Sequence, residues 1–111
     1  GMDSAEVNGV LVLQPGDELD LVGYLPLGDE VTKAMHQGKN KVVLDCQHVS
    51  YINTSAASVI CALAARAAKA GGGICLANVN SGARSVLEAS GLIADITVHD
   101  TVDNAVGALS G

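Results

Sequence analysis

The stretch Lys41-Val42-Val43-Leu44-Asp45-Cys46, continued by Val49-Ser50-Tyr51-Ile52-Asn53-Thr54-Ser55-Ala56-Ala57-Ser58, decides the fold. Its first part is a β-branched apolar run with no polar alternation, the pattern of a strand covered on both faces, and such strands belong to parallel sheets flanked by helices. Its second part runs through a hydroxyl-rich turn into an alanine-rich helix predicted over residues 56–70. Gly71-Gly72-Gly73 then ends that helix by tolerating left-handed backbone.

Upstream of this unit, residues 10–13 read as a strand, Pro15-Gly16-Asp17 as a turn, and residues 18–25 as a second strand, together an N-terminal hairpin. Pro26 opens a short helix in which Leu27, Val31, Ala34 and Met35 recur at helical spacing, ending by Gly38. Downstream, residues 74–79 form another apolar strand. Ser81 is positioned to cap a helix carrying Ala83, Val86 and Leu87 on one side, with Gly91 just past its end. Residues 96–99 make a last short strand, and Thr101 caps a final helix whose Val102, Ala105, Val106 and Leu109 share a face. Strands alternating with helices predict an α/β fold: a mixed, mostly parallel β-sheet with an N-terminal hairpin and helices packed on it through right-handed crossovers.

The chain of 111 residues fits one domain over residues 1–111, with Gly1 ahead of Met2 reading as a scar of tag removal. Phe and Trp are absent and the two tyrosines are Tyr24 and Tyr51, so Val, Leu, Ile and Ala must fill the core. Twelve acidic residues against six basic ones give a net charge of −6, which opposes a nucleic-acid backbone or an anionic membrane surface. The longest apolar run, residues 59–65, is far shorter than the roughly 20 residues that span a bilayer, and no leader pattern is visible, so direct membrane insertion is not expected and residence is expected to be cytoplasmic.

A catalytic constellation is not legible. His36, His48 and His99 are dispersed, and Asp45 near His48 reads as the cap of a turn. Gly71-Gly72-Gly73 lacks the Lys-Ser/Thr of a phosphate-binding loop. Cys46, Cys61 and Cys75 are odd in number, lack CxxC spacing and lie in apolar runs, which makes them reduced structural thiols. No catalytic residue, metal or cofactor is therefore expected, and the chain is expected to act by docking.

The turn at residues 49–55 places hydroxyls where a helix begins. Unpaired N–H groups and the positive end of the helix dipole favour negative charge there, including a phosphoryl group carried by a side chain. Asn53, Thr54 or Ser55 can equally serve as the ordinary helix cap. Along the helix, Val59, Ile60, Leu63, Ala67 and Ala70 fit a core-facing stripe, leaving Ala57, Ser58, Ala62 and Ala65 outward. A small, uncharged outer face beside the turn suits a docking partner, although alanine is also simply the best helix former.

These two motifs, with Gly72-Gly73-Ile74-Cys75-Leu76-Ala77-Asn78-Val79 and Arg84-Ser85-Val86-Leu87-Glu88-Ala89-Ser90-Gly91-Leu92 behind them, resemble the STAS domain family of anti-sigma-factor antagonists from Val10 onward. The resemblance implies a STAS-like sheet and a partner switch. In that family the turn typically reads Asp-Ser-Ser-Gly, and its first serine is phosphorylated by an anti-sigma factor that is also a serine/threonine kinase. Thr54 takes that serine's place, with Asn53 where the family has Asp and Ala56 where it has Gly. The implied acceptor is thus Thr54, ahead of Ser55 and Ser58, and the implied partner surface is Asn53, Thr54, Ser55, Ala57, Ser58 and Ala62. Another branch resembled at the same turn comprises the small STAS subunits of bacterial lipid-transport ABC complexes.

Overall fold

The computed structural model describes residues 2–19 and 24–110. In chain order the elements are β1 (Asp3–Val7), β2 (Val10–Gln14), β3 (Glu18–Leu19), α1 (Tyr24–His36), β4 (Lys41–Asp45), β5 (Tyr51–Ile52), α2 (Thr54–Lys69), β6 (Gly73–Ala77), α3 (Ser81–Ala89), a 3₁₀ turn at Leu92–Ala94, β7 (Thr97–His99) and α4 (Val102–Ser110). Five strands form one sheet in the order β1-β2-β4-β6-β7, antiparallel between β1 and β2 and parallel elsewhere. The mixed, mostly parallel α/β architecture is the one expected from the sequence.

Strand β4 explains the arrangement. Its Val42, Val43 and Leu44 are all buried, because alternate residues enter different cores on the two sheet faces. On one face Leu13, Val42, Leu44, Ile74 and Leu76 meet α1 through Leu27 and Val31, α2 through Ile60 and Leu63, and α3 through Leu87. On the other, Val10, Val43, Cys75 and Ala77 meet α4 through Ala105 and Val106. Burial of this aliphatic surface is what holds helices of nine to sixteen residues in place.

The hairpin differs from the expected one. The antiparallel partner of β2 is β1, joined through Asn8 (φ 52°) and Gly9 (φ 78°), so that Val7 faces Val10. Two successive left-handed residues, Asn then Gly, make the tight turn whose twist suits paired strands. Residues 3–7 are exposed on both faces and so carry no apolar alternation, which is why they do not read as a strand. Glu18–Leu19 instead pair in parallel with Tyr51–Ile52 as a separate two-stranded sheet. Residues 20–23 of the expected second strand lie outside the described residues, and Tyr24 and Leu25 already belong to α1.

Helix α2 ends as glycine chemistry predicts. Gly71 (φ 88°) donates to Ala68 and Gly72 donates back to Ala67 at 2.9 Å, closing the paired C-terminal hydrogen bonds that a left-handed residue permits. Its buried side is Ala56, Ala57, Ile60, Leu63, Ala64 and Ala67. The core stripe is therefore rotated from the expected one: Ala57 is 1% exposed and faces inward, Val59 is half-buried, and Ala70 is exposed. Alanine fits either side of a helix, so at these positions the pattern does not fix the rotation. At α3 the cap is Asn80, whose side-chain oxygen accepts the Ala83 amide at 2.7 Å, rather than Ser81. Thr101 caps α4 as expected, accepting from the Asn104 amide at 3.1 Å.

Candidate functional site

Residues 46–53 leave the carboxyl end of β4 and turn back to start α2. The turn is anchored at its root by Asp45, which is 8% exposed and hydrogen-bonded. Its Oδ1 accepts from the Gln47 amide at 3.1 Å and from Nδ2 of Asn78 at 3.0 Å, and its Oδ2 accepts from Nε2 of Gln14 at 3.0 Å. These donors come from β2, the turn itself and the connection after β6, so a buried carboxylate is solvated by protein amides in place of water. Asp45 thus caps its own turn, as the sequence suggested. His48 and His36 are exposed, and His99 is half-buried at the end of β7.

The turn's far side is fastened to the loop after β2. Ser50 donates its amide to the Asp17 carbonyl at 2.7 Å and its hydroxyl to the Asp17 carboxylate at 2.6 Å. Ile52 is buried and Tyr51 is 50% exposed, so β5 drives one side chain into the core and leaves an aromatic ring in solvent. Tyr51 is a candidate contact residue that the sequence reading quoted without assigning. Its signal was rarity, since the chain has two aromatic residues.

Asn53 then caps α2. Its extended backbone (φ −94°, ψ 163°) and its side-chain oxygen, accepting the Ala56 amide at 2.8 Å, are those of an N-cap. Of the three cap candidates the structure selects Asn53, leaving the hydroxyls of Thr54 and Ser55 uncommitted to capping. Thr54, Ser55 and Ser58 are exposed, as are Ala62 and Ala65 further along. The first turn of α2 holds no acidic residue, so its dipole end is not offset by a carboxylate of the helix. Ala57 does not join this surface, because it points into the core.

Cys46 and Cys75 are buried, and Cys61 is half-buried in a groove that Ala62 and Ala65 also line. Burial, with the Asp45 charge added, pushes the Cys46 thiol up to about 12, and burial pushes Cys75 up to about 11. Cys61, half-buried on α2, is raised by burial and by the Asp95 charge. A raised thiol is a poor nucleophile at neutral pH. Among the described residues no group of three or more His, Cys, Asp or Glu side chains is placed to hold a metal ion. No helix among them is long and apolar enough to cross a membrane.

The sheet order, the capped helix and the hydroxyl-bearing turn define a recognisable domain. The chain belongs to the STAS domain family, whose sequence profile matches residues 2–105. No curated protein matches the chain. Among solved structures it is similar to a candidate anti-sigma factor antagonist of Thermotoga maritima, at 22% identity and a TM-score of 0.89 over 99% of this chain and 95% of that one. It is also similar to an anti-sigma factor antagonist of Mycobacterium paratuberculosis, at 18% identity and a TM-score of 0.86 over 100% and 94% of the two chains. The phosphorylated form of the Bacillus cell fate determinant SpoIIAA aligns at 17% identity and a TM-score of 0.71 over 97% and 98%. At these identities the likeness is one of fold.

Proposed function

We propose that this chain is an anti-sigma-factor antagonist, a cytoplasmic partner-switching module that regulates transcription by binding an anti-sigma factor. In this reading the anti-sigma factor is also a serine/threonine protein kinase, and phosphorylation of Thr54 ends the binding. The chain docks and is modified; it performs no catalysis itself. The observation that carries the reading is the placement of Thr54: exposed, first in α2 and one residue past the cap.

Physical chemistry supplies the switch. Unmodified, the exposed face of α2 carries small side chains, Ser58, Ala62 and Ala65, and the exposed ring of Tyr51 precedes Thr54 by three residues. Such a surface can be covered closely at little desolvation cost. A phosphoryl group on Thr54 would add about −2 charge and three acceptor oxygens where that face begins. Covering that charge costs the partner its hydration, and its bulk holds the partner away. The positive end of α2 accommodates the same charge, so the domain keeps its fold while losing its partner. The fold likeness to SpoIIAA, solved in both unphosphorylated and phosphorylated forms, is consistent with a domain that carries phosphate without unfolding.

Peptide mapping of protein purified from its native cell tests the proposal. Phosphate on Thr54, in preference to Ser55 or Ser58, is the expected result. Phosphate confined to other segments, together with co-purification of a transport ATPase, would replace this reading with that of a small STAS subunit in a lipid-transport ABC complex.

A further inference from the structure

We infer that Asn78 and Asn80 are positioning residues for the turn that presents Thr54. The inference rests on Thr54 being the regulated hydroxyl and adds what holds that hydroxyl in place. Residues 46–50 have no regular structure, yet one three-residue connection, 78–80 between β6 and α3, holds both this segment, at Val49, and its root, at Asp45. At the root, Nδ2 of Asn78 donates to Asp45, whose same oxygen accepts the Gln47 amide. Further along, Nδ2 of Asn80 donates to the Val49 carbonyl at 3.0 Å.

Neither asparagine is explained by local structure alone. Asn78 holds a left-handed backbone, φ 57°, which glycine would adopt at lower cost. What asparagine adds there is the amide donor to a buried carboxylate. Asn80 caps α3 with its oxygen, a task that Ser, Thr or Asp performs about as well. What asparagine adds is the second, donating end of the amide, aimed at the turn. Since Val49 leads through β5 into Asn53 and Thr54, the bridge makes the start of α3 and the start of α2 parts of one rigid end of the domain.

Three substitutions separate this role from plain stabilisation. Asn78→Gly keeps the left-handed backbone and removes the donor. Asn80→Asp keeps the cap and removes the donor, and Asn80→Ser keeps the cap and exchanges the amide donor for a shorter hydroxyl without adding charge. By amide hydrogen exchange each is expected to speed exchange at Gln47, Val49 and Ser50 by roughly five- to tenfold, while the Ala83 amide stays protected in the Asn80 variants. In a second readout, Thr54→Glu should move the amide resonances of Ala83 and Arg84 in the parent. In the Asn80→Ser background those movements should shrink while Ala56 and Ala57 still respond. Unchanged exchange in the turn, or an α3 response to Thr54→Glu undiminished by loss of the amide donor, would overturn the inference. Neither readout uses a partner, so failure of the phosphorylation switch would appear separately, as a Thr54→Glu protein that binds its partner like the parent.

Discussion

The amide of Ala56 donates to the side-chain oxygen of Asn53 at 2.8 Å, and that bond makes Thr54 the first residue of α2 rather than its cap. Capping and modification are thereby assigned to different side chains. Asn53→Ala should lower stability by about 1 kcal/mol, whereas Asn53→Asp should hold it within a few tenths. Chemical denaturation of the two variants beside the parent checks both.

Thr54→Glu should raise stability. The first turn of α2 carries no acidic residue, and a negative charge at a helix N-terminus stabilises by about 0.3–1 kcal/mol at low ionic strength. Thermal melts should show the gain at low salt and its reduction at high salt. A fall in melting temperature would mean that added charge unsettles the fold, contrary to a block confined to the docking face.

Tyr51→Ala should weaken partner binding by about 2 kcal/mol, the usual scale for an aromatic contact at the centre of an interface. Because half of Tyr51 is exposed in the free domain, stability should change little, within about 0.5 kcal/mol. Isothermal titration against the anti-sigma factor, paired with a melt, separates the two quantities.

The thiols give a pH dependence of known sign. Folding raises Cys46 from 9.0 to about 12 and Cys75 from 9.0 to about 11, so the folded state holds protons that the unfolded chain has released. Their contribution to stability is complete below pH 9 and is lost as pH rises toward 11 and 12. Denaturation midpoints should fall across that window and fall less in a Cys46→Ala protein. In native protein near neutral pH, a thiol reagent should label Cys61 before either buried cysteine.

Gly72→Ala should cost about 1–3 kcal/mol, because a Cβ there would collide with the backbone carbonyl of Asn40 and one segment must shift. Gly107→Ala, in the exposed part of α4 with open space around the new methyl, should instead stabilise by up to about 1 kcal/mol.

What the sequence made legible follows from where the information sits. The run at β4, the glycine stop after α2 and the capping hydroxyl of Thr101 are local signals, and the structure shows each where its neighbours placed it. Strand β1 is not legible because Asp3, Ser4, Ala5, Glu6 and Val7 are exposed on both faces, and its local signal is the Asn8-Gly9 turn alone. The rotation of α2 is not legible at Ala57 because a methyl group suits core and surface alike. At the site, the hydroxyl-rich helix start could be read. The amides that fasten it could not, since Asn78 reaches Asp45 across 33 residues and Asn80 reaches Val49 across 31.

The account's central claim is that charge on Thr54 decides whether a partner can cover the mouth of α2. Its most direct measurement is the affinity of the anti-sigma factor for the parent, for protein carrying phosphate on Thr54 and for Thr54→Val. The account predicts that phosphate weakens binding at least about a hundredfold, some 2.7 kcal/mol, while valine binds within a fewfold of the parent. Equal affinity of the phosphorylated and unmodified proteins would contradict it.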